Sequence, residues 1–522
     1  MNDANPAVPG TVQRTSPPRA STGIAGLDDV LHGGFLADRV YLVEGAPGAG
    51  KTTLALQFLL EGRQRGEAGL YVTLSESEEE LRAVAKSHGW SLEGIDLFEF
   101  ASAETALSLE QEQTLLHPWE VELGETMKAI LDKVKVVNPR RVVFDSLSEM
   151  RLLAQEPLRY RRQILALKQY FTGRQCTVLL LDDLSGGDND LQLHSICHGV
   201  VALERLTMEF GAARRRVEVQ KMRGSAFLEG WHDYVIRPGG IDVFPRLVAA
   251  QHHRAFLTEQ IESGVPEMDA LFEGGPLRGT STLILGPAGI GKTTIALQYV
   301  LAAAGRGERS AIYEFDERAA TMVTRSKELG MDLEPHIRSG TVSLRQLDPA
   351  ELAPGEFAWM VRQEVERQGA RVIVIDSLTG YMAAMPEEKQ LLLQMHELLS
   401  YLCQLGIATF LISPQVGLVG PMQTNLNISY IADTVVLLRF FEAGGRIRKA
   451  LSVIKNRGGA HEDTIREFRM GPGGIVVGQP LTDFEAILTG TPRYVGGAEP
   501  LLGGQGSDRT STVLGSVERS LA

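Results

Sequence analysis

Two stretches decide how this chain is read: GAPGAGKTTLALQF, from Gly45 to Phe58, and GPAGIGKTTIALQY, from Gly286 to Tyr299. Both fit the pattern G-x-x-x-x-G-K-[ST]. Each follows a short β-rich run, VYLVEG (40–45) or TLILGP (282–287), and each opens a helical pattern. In that context the motif is a phosphate-cradling loop. Glycines at 45, 48 and 50, and at 286, 289 and 291, let successive main-chain N–H groups turn toward an anion, and the following helix adds a favourable dipole. The expected nucleotide contacts are Gly45, Gly48, Gly50, Lys51, Thr52 and Thr53 in the first stretch. In the second they are Gly286, Gly289, Gly291, Lys292, Thr293 and Thr294. Lys51 and Lys292 would bridge the β- and γ-phosphates, and Thr52 and Thr293 would bind magnesium.

Working outward, the surroundings repeat as well. STGIAGLDDVLHGGF, from Ser21, returns as ESGVPEMDALFEGGP from Glu262, and the two lysines lie 241 residues apart (292 minus 51). RVVFDSL, with Asp145, returns as VIVIDSL with Asp376, and KMRG from Lys221 returns as KNRG from Lys455. Four motifs in one order at nearly one offset mark a duplicated domain. GLYVTLSE (69–76) and SAIYEFDE (310–317) read as second strands. The continuous apolar runs RVVFD and VIVID suit strands covered on both faces, and TVLLLDD (177–183) and ATFLIS (408–413) read as fourth strands. Strand–helix alternation predicts an α/β fold, in which each copy is a mainly parallel sheet sandwiched by helices. We expect a flexible arm at 1–17, domains at 18–247 and 256–495, and a flexible glycine-rich tail at 496–522.

Asp145 and Asp376 end apolar strands beside the phosphate loops and are expected to hold magnesium through water. Hydrolysis also needs a carboxylate that orients the attacking group, and Glu76 and Glu317 share the 241 offset. Asp316 precedes Glu317, whereas Ser75 precedes Glu76. The run Glu78, Glu79 and Glu80 reads as the acidic first turn of a helix. Asp182 and Asp183 in the first copy, and Ser413 and Gln415 in the second, end the fourth strands. There they either sense the γ-phosphate or cap a turn. His194, Cys197 and His198 form H-x-x-C-H, read as core or interface because no second cluster completes a zinc site. Arg214, Arg215 and Arg216 are expected on a solvated hairpin or at a subunit seam.

Composition narrows the rest. The 522 residues are 43% hydrophobic and 22% charged, with only three cysteines. This points to a globular, multi-domain, reducing-compartment protein, expected in the cytoplasm. No apolar run approaches the ~18 residues of a membrane span. A net charge of -13 argues against nucleic-acid binding as the main task.

TGIAGLD, the phosphate loop, YVTLSE, VFDS and KMRG, in duplicate, resemble the KaiC family of tandem RecA-like ATPases over roughly residues 18–495. The resemblance implies ATP and Mg2+ as cofactors and a hexameric double ring with ATP at the subunit interfaces. It also implies protein partners in signalling or timing. The neighbouring subunit would complete each site through Lys221 and Arg223, or Lys455 and Arg457. The family's second domain is an autokinase. Here Asp316 and Glu317 match its acidic pair, Asp316 at the position of the base. Ser429 in ISYIADT falls on a phosphoacceptor serine, Tyr430 replaces the adjacent threonine, and Thr424 falls near another acceptor. Ser75, where the family has glutamate, sets the first copy apart and puts brisk hydrolysis there in doubt. Two other readings of the same core are a DNA-dependent motor or recombinase and a nucleotide-gated scaffold with little turnover.

Overall fold

The computed structural model describes residues 17–99, 118–154, 156–183, 191–208, 211–382, 388–415, 430–489 and 493–495. Two compact units emerge. One lies within Met1–Arg246 and takes in Ala353–Trp359; the other lies within Leu247–Leu352 and Met360–Ala522. The phosphosite candidates Ser429 and Thr424 lie outside the described residues.

The first unit holds a nine-stranded sheet: β1 (Val40–Gly45), β2 (Gly69–Thr73), β3 (Ile95–Glu99), β4 (Arg141–Asp145), β5 (Thr177–Asp182), β6 (Gly199–Leu206), β7 (Arg214–Met222), β8 (Trp231–Arg237) and β9 (Gly240–Phe244). Their order across the sheet is 9-8-7-6-1-5-4-2-3. From β6 to β3 neighbouring strands are parallel; β7, β8 and β9 add an antiparallel meander. The second unit repeats this with β10 (Ser281–Gly286), β11 (Arg309–Glu314), β12 (Val342–Gln346), β13 (Ala370–Asp376), β14 (Ala408–Pro414), β15 (Thr434–Ala443), β16 (Arg446–Asn456), β17 (Arg466–Gly471) and β18 (Gly474–Pro480). Its order, 18-17-16-15-10-14-13-11-12, is the same topology. These are two tandem RecA-like folds. The parallel part of each sheet holds six strands, so the edge strands β3 and β12, with β6 and β15 beside the phosphate-loop strands, go beyond the four that the sequence pattern suggested.

Alternation along the buried strands builds three layers. In the first unit Tyr41, Val43, Tyr71, Val143 and Leu179 face helix Lys51–Gln64, with Leu54, Phe58 and Leu59 against them. Leu42, Leu70, Val72, Phe144 and Leu180 face the other way, onto Ile130, Ile164 and Leu167. Successive strand side chains point to opposite faces, so a strand covered on both must be apolar throughout.

One charged residue enters this core. Arg141, 1% exposed, opens β4 where the second copy has Val372. Its guanidinium donates to Ser21 O and Phe58 O at 2.7 Å, pairs with Glu67 and lies 4.6 Å from the Phe58 ring centroid. A Cβ on Gly62 would stand 2.4 Å from Arg141 Cδ, so glycine makes the room. Arg141 thereby ties the lead-in segment to helix Lys51–Gln64. Arg141→Leu should destabilise the first unit by about 2–4 kcal/mol, because two carbonyls and a carboxylate lose their donor. Chemical denaturation of the full chain should show the first unit's transition moving to lower denaturant while the other stays.

Candidate functional site

β1 and β10 sit where the chain departs in opposite directions, with β5 on one side and β6 on the other, or β14 and β15 in the second unit. Ligands of open parallel sheets bind at the carboxyl ends of strands at such a point. Both phosphate loops begin there. Each ends on a glycine in the left-handed region, Gly50 at φ 101 and Gly291 at φ 118, which caps the following helix. A Cβ on Gly50 would also stand 2.6 Å from Ile236 Cδ1. From β8, the Tyr234 hydroxyl donates to Ala49 O and braces the first loop.

In the first copy Lys51 is buried and donates to Gly45 O at 2.7 Å. It also pairs with Asp183 Oδ1 at 2.6 Å, just past β5. Thr52 Oγ1 donates to Asp145 Oδ2 at 3.3 Å, and the Tyr71 hydroxyl donates to that same oxygen. Burial raises the Asp145 carboxyl above its ordinary value, against the bonds from Tyr71 and Thr52. In the second copy Lys292 donates to Pro287 O at 2.9 Å, and Thr293 Oγ1 donates to Asp376 Oδ2 at 2.6 Å. Ile312 stands where the first copy has Tyr71. Burial pushes Asp376 up to about 6 and lowers Lys292. In both copies a threonine hydroxyl lies against a strand-end carboxylate. That all-oxygen pair fits a hard divalent cation that keeps water and phosphate as its other ligands. Thr52 with Asp145, and Thr293 with Asp376, would hold Mg2+ there.

The carboxylates expected to serve hydrolysis are not at strand ends. β2 stops at Thr73 and β11 at Glu314, and Glu76 and Glu317 follow three residues later, on the turn into the next helix. Side chains at the strand ends close that turn. Thr73 Oγ1 accepts from Glu76 N at 3.0 Å; Glu314 Oε1 accepts from Asp316 N at 3.0 Å and Glu317 N at 2.7 Å. Burial, then Asp145, raises Glu76, whose Oε2 is buried without a hydrogen-bond partner among the described residues. Glu317 pairs with Arg325 at 3.0 Å, while Asp316 is exposed. Glu314 is 1% exposed, and burial together with Asp376 pushes it up to about 8.

The cations of KMRG and KNRG do not join their own loops. Lys221 pairs in register with Val200, whereas Gly45 is level with Leu203. Three residues of strand, about 10 Å, separate the two rows. Lys221 donates to His194 O and to Cys197 O at 2.9 Å, and Arg223 to Ser195 O at 3.1 Å. Lys455 likewise donates to Ala432 O at 2.6 Å, and Arg457 is exposed.

Several remaining readings are sharpened or corrected. Arg214 is buried, and Arg216 pairs with Glu204 and lies 4.6 Å from the Trp231 ring centroid; the arginine run is packed into the meander, not solvated. His194 Nε2 lies 2.8 Å from the buried Glu44 carboxylate, and Cys197 is buried. Glu78, Glu79 and Glu80 form the first turn of helix Glu78–Ser87, with Ser77 and Glu80 as a capping box. Asp182 pairs with Arg151 at 2.7 Å. Lys449, 3.5 Å from Gly289 O, reaches the second phosphate loop, and Gln415 N donates to Gly286 O at 3.0 Å. Sequence reasoning missed Tyr71, Glu314 and Lys449. The acid at 314, directly after the apolar run Ala311–Tyr313, was the one available signal.

A model of the KaiC ATPase domain matches residues 20–248 and again 261–482. The chain belongs to the KaiC family. It is 26% identical over 482 residues to the circadian clock oscillator protein KaiC of Picosynechococcus sp., covering 91% of this chain and 92% of that one. It is 26% identical to circadian clock protein KaiC3 of Synechocystis sp., covering 92% and 96%. For KaiC2 of the same organism the identity is 27%, covering 91% and 84%. As a KaiC-family ATPase, the chain carries two copies of the same phosphate loop with different charges around them.

Two outcomes follow from those charges. Asp183→Asn frees Lys51 from its carboxylate, so nucleotide binding at the first copy should tighten about three- to tenfold. Titration with a fluorescent ATP analogue should show one phase of the isotherm moving and the other fixed. Glu314 holds its proton more firmly folded, at about 8, than at its ordinary value of 4.5. Stability from that shift is present at low pH and lost as pH rises through 8. Glu314→Thr should therefore flatten the fall in melting temperature of nucleotide-free protein between about pH 5 and 8.

Proposed function

We propose that both copies bind ATP with Mg2+ and that the second is a serine autokinase, within a cytoplasmic hexamer that serves signalling or circadian-type timing through protein partners. The observation that carries the kinase reading is the acidic turn of the second copy. It presents Asp316 and Glu317 on successive amides fixed by Glu314, with Asp316 near Asp376 and Lys292. The first copy offers Glu76 after a serine.

Main-chain amides of the loop and Lys292 bind and orient the triphosphate. Thr293 and Asp376 would hold Mg2+, which when bound would offset phosphate charge. Ser429 Oγ attacks the γ-phosphorus, and the bond from that phosphorus to the β–γ bridging oxygen breaks. ADP departs and Asp316 takes the hydroxyl proton. Thr424 is the second acceptor candidate. Lys455 and Arg457, and Lys221 and Arg223 in the first ring, act on the neighbour's γ-phosphate; their place at the other edge of their own sheet supports this. We propose slow turnover for the first copy, where Asp183 competes for Lys51. The clock names of the relatives support a role in timing.

Incubation with Mg-ATP, native mass spectrometry and phosphosite mapping test this reading. We expect a hexamer carrying phosphate at Ser429, turnover indifferent to DNA, and Asp316→Asn lowering phosphate incorporation by about 100-fold. A monomer, or a hexamer with no phosphate at Ser429 or Thr424, would refute it.

A further inference from the structure

We propose that Glu314 is a positioning residue of the second copy: its buried carboxyl holds the backbone of Asp316 and Glu317 and so fixes where their side chains stand. This rests on the reading that those two acids serve phosphoryl transfer. Glu314 ends β11, between β13 and β12, and is the register partner of Asp376. A side chain at so buried a place is apolar by default, because a carboxyl loses its hydration there. Its Oε1 offsets that loss by accepting two main-chain N–H groups, from Asp316 and Glu317. The N–H between them and the strand, that of Phe315, donates to Asp376 O at 2.6 Å. Three consecutive amides are thus fixed, two by Glu314 and one by the magnesium-site residue.

The carboxylate of Asp316, though exposed, also has a neighbour on one side. A Cβ on Gly380 would stand 2.7 Å from Asp316 Oδ1, so that acid rests against the start of the helix after Asp376. The first copy closes the equivalent turn differently. Thr73 Oγ1 accepts from Glu76 N and donates to Glu76 O at 2.6 Å, so both of its bonds fall on one residue. One hydroxyl there aligns one acid; the longer carboxyl of Glu314 reaches two amides and aligns a pair.

Glu314→Val and Glu314→Thr make the decisive comparison, since they match in shape and differ by one hydroxyl. Threonine restores the acceptor for Glu317 N–H, as Thr73 does for Glu76; valine restores none. Turnover and phosphate incorporation belonging to the second copy are the difference between the full-length protein and its Asp316→Asn/Glu317→Gln form. We expect valine to lower that difference about 10- to 100-fold in kcat, with KM for ATP within about twofold, and threonine to recover most of it. Hydrogen exchange in nucleotide-free protein gives a readout independent of activity. The peptide containing Asp316 and Glu317 should exchange faster in the valine form than in wild type, with threonine between them. Equal exchange and equal kcat in wild type and Glu314→Val would overturn the proposal while leaving the acids their role. No difference between wild type and the Asp316→Asn/Glu317→Gln form would overturn both.

Discussion

A carboxylate that ends a fully buried strand must share a confined edge with a lysine and a threonine, and the rest of each site is arranged around managing that charge. Asp145 and Asp376 are each only 6% exposed. Taking such a group from water costs several kcal/mol unless donors and a counter-charge replace the hydration. The first copy supplies two hydroxyls, Thr52 and Tyr71, on one oxygen. Among the described residues the second supplies the Thr293 hydroxyl alone, and its aspartate is driven to about 6. A bound divalent cation would relieve that cost, so the less satisfied site is the one with more to gain from metal and nucleotide together.

The sheet topology separates the phosphate loop of each copy from the cations of its own KxRG motif. Parallel strands put all their carboxyl ends at one edge, and that edge collects the loop, the aspartate and the acidic turn. Lys221 and Lys455 lie toward the other edge because the antiparallel strands β7 and β16 run back from it. Their ammonium groups are spent on carbonyls at the end of helix Leu191–Ile196 and on Ala432 O. A cation placed there cannot reach its own γ-phosphate without unmaking the strand pairing, which is the physical support for its being lent to another subunit.

The fold was legible because its signals are local: two phosphate loops, apolar strands and a repeat with constant offset. Among the strands missed were β3 and β12, edge strands whose runs IDLFE and VSLRQ are half polar because one side of the ladder and part of one face meet solvent. At the sites, residues inside motifs could be named: Lys51, Thr52, Asp145 and their partners in the second copy. Residues that act by register could not. Tyr71 reaches Asp145 only because β2 and β4 are neighbours, and that adjacency is not written in either segment. Glu314 stood in plain view, but as one acid among three; its burial is what separates it from Asp316 and Glu317.

The two copies keep one backbone and differ in charge at matching places. Tyr71 answers to Ile312, Thr73 to Glu314, Asp183 to Pro414, Arg141 to Val372 and Glu44 to Leu285. Each exchange moves a charge or a hydroxyl, and all but the half-exposed Asp183 do so in a buried environment, where electrostatic effects are largest. In the first copy the exchanges add groups that satisfy or pin the machinery: a phenol on the aspartate, a carboxylate on the lysine, a histidine on Glu44. In the second they remove those restraints and add an acid that aligns two others. A loop whose lysine is already paired is slow to give it up, whereas a loop whose lysine rests on a neutral carbonyl is ready for phosphate. The same fold, charged in these two ways, presents one phosphate loop whose lysine is held by a carboxylate and one whose lysine rests on a main-chain carbonyl.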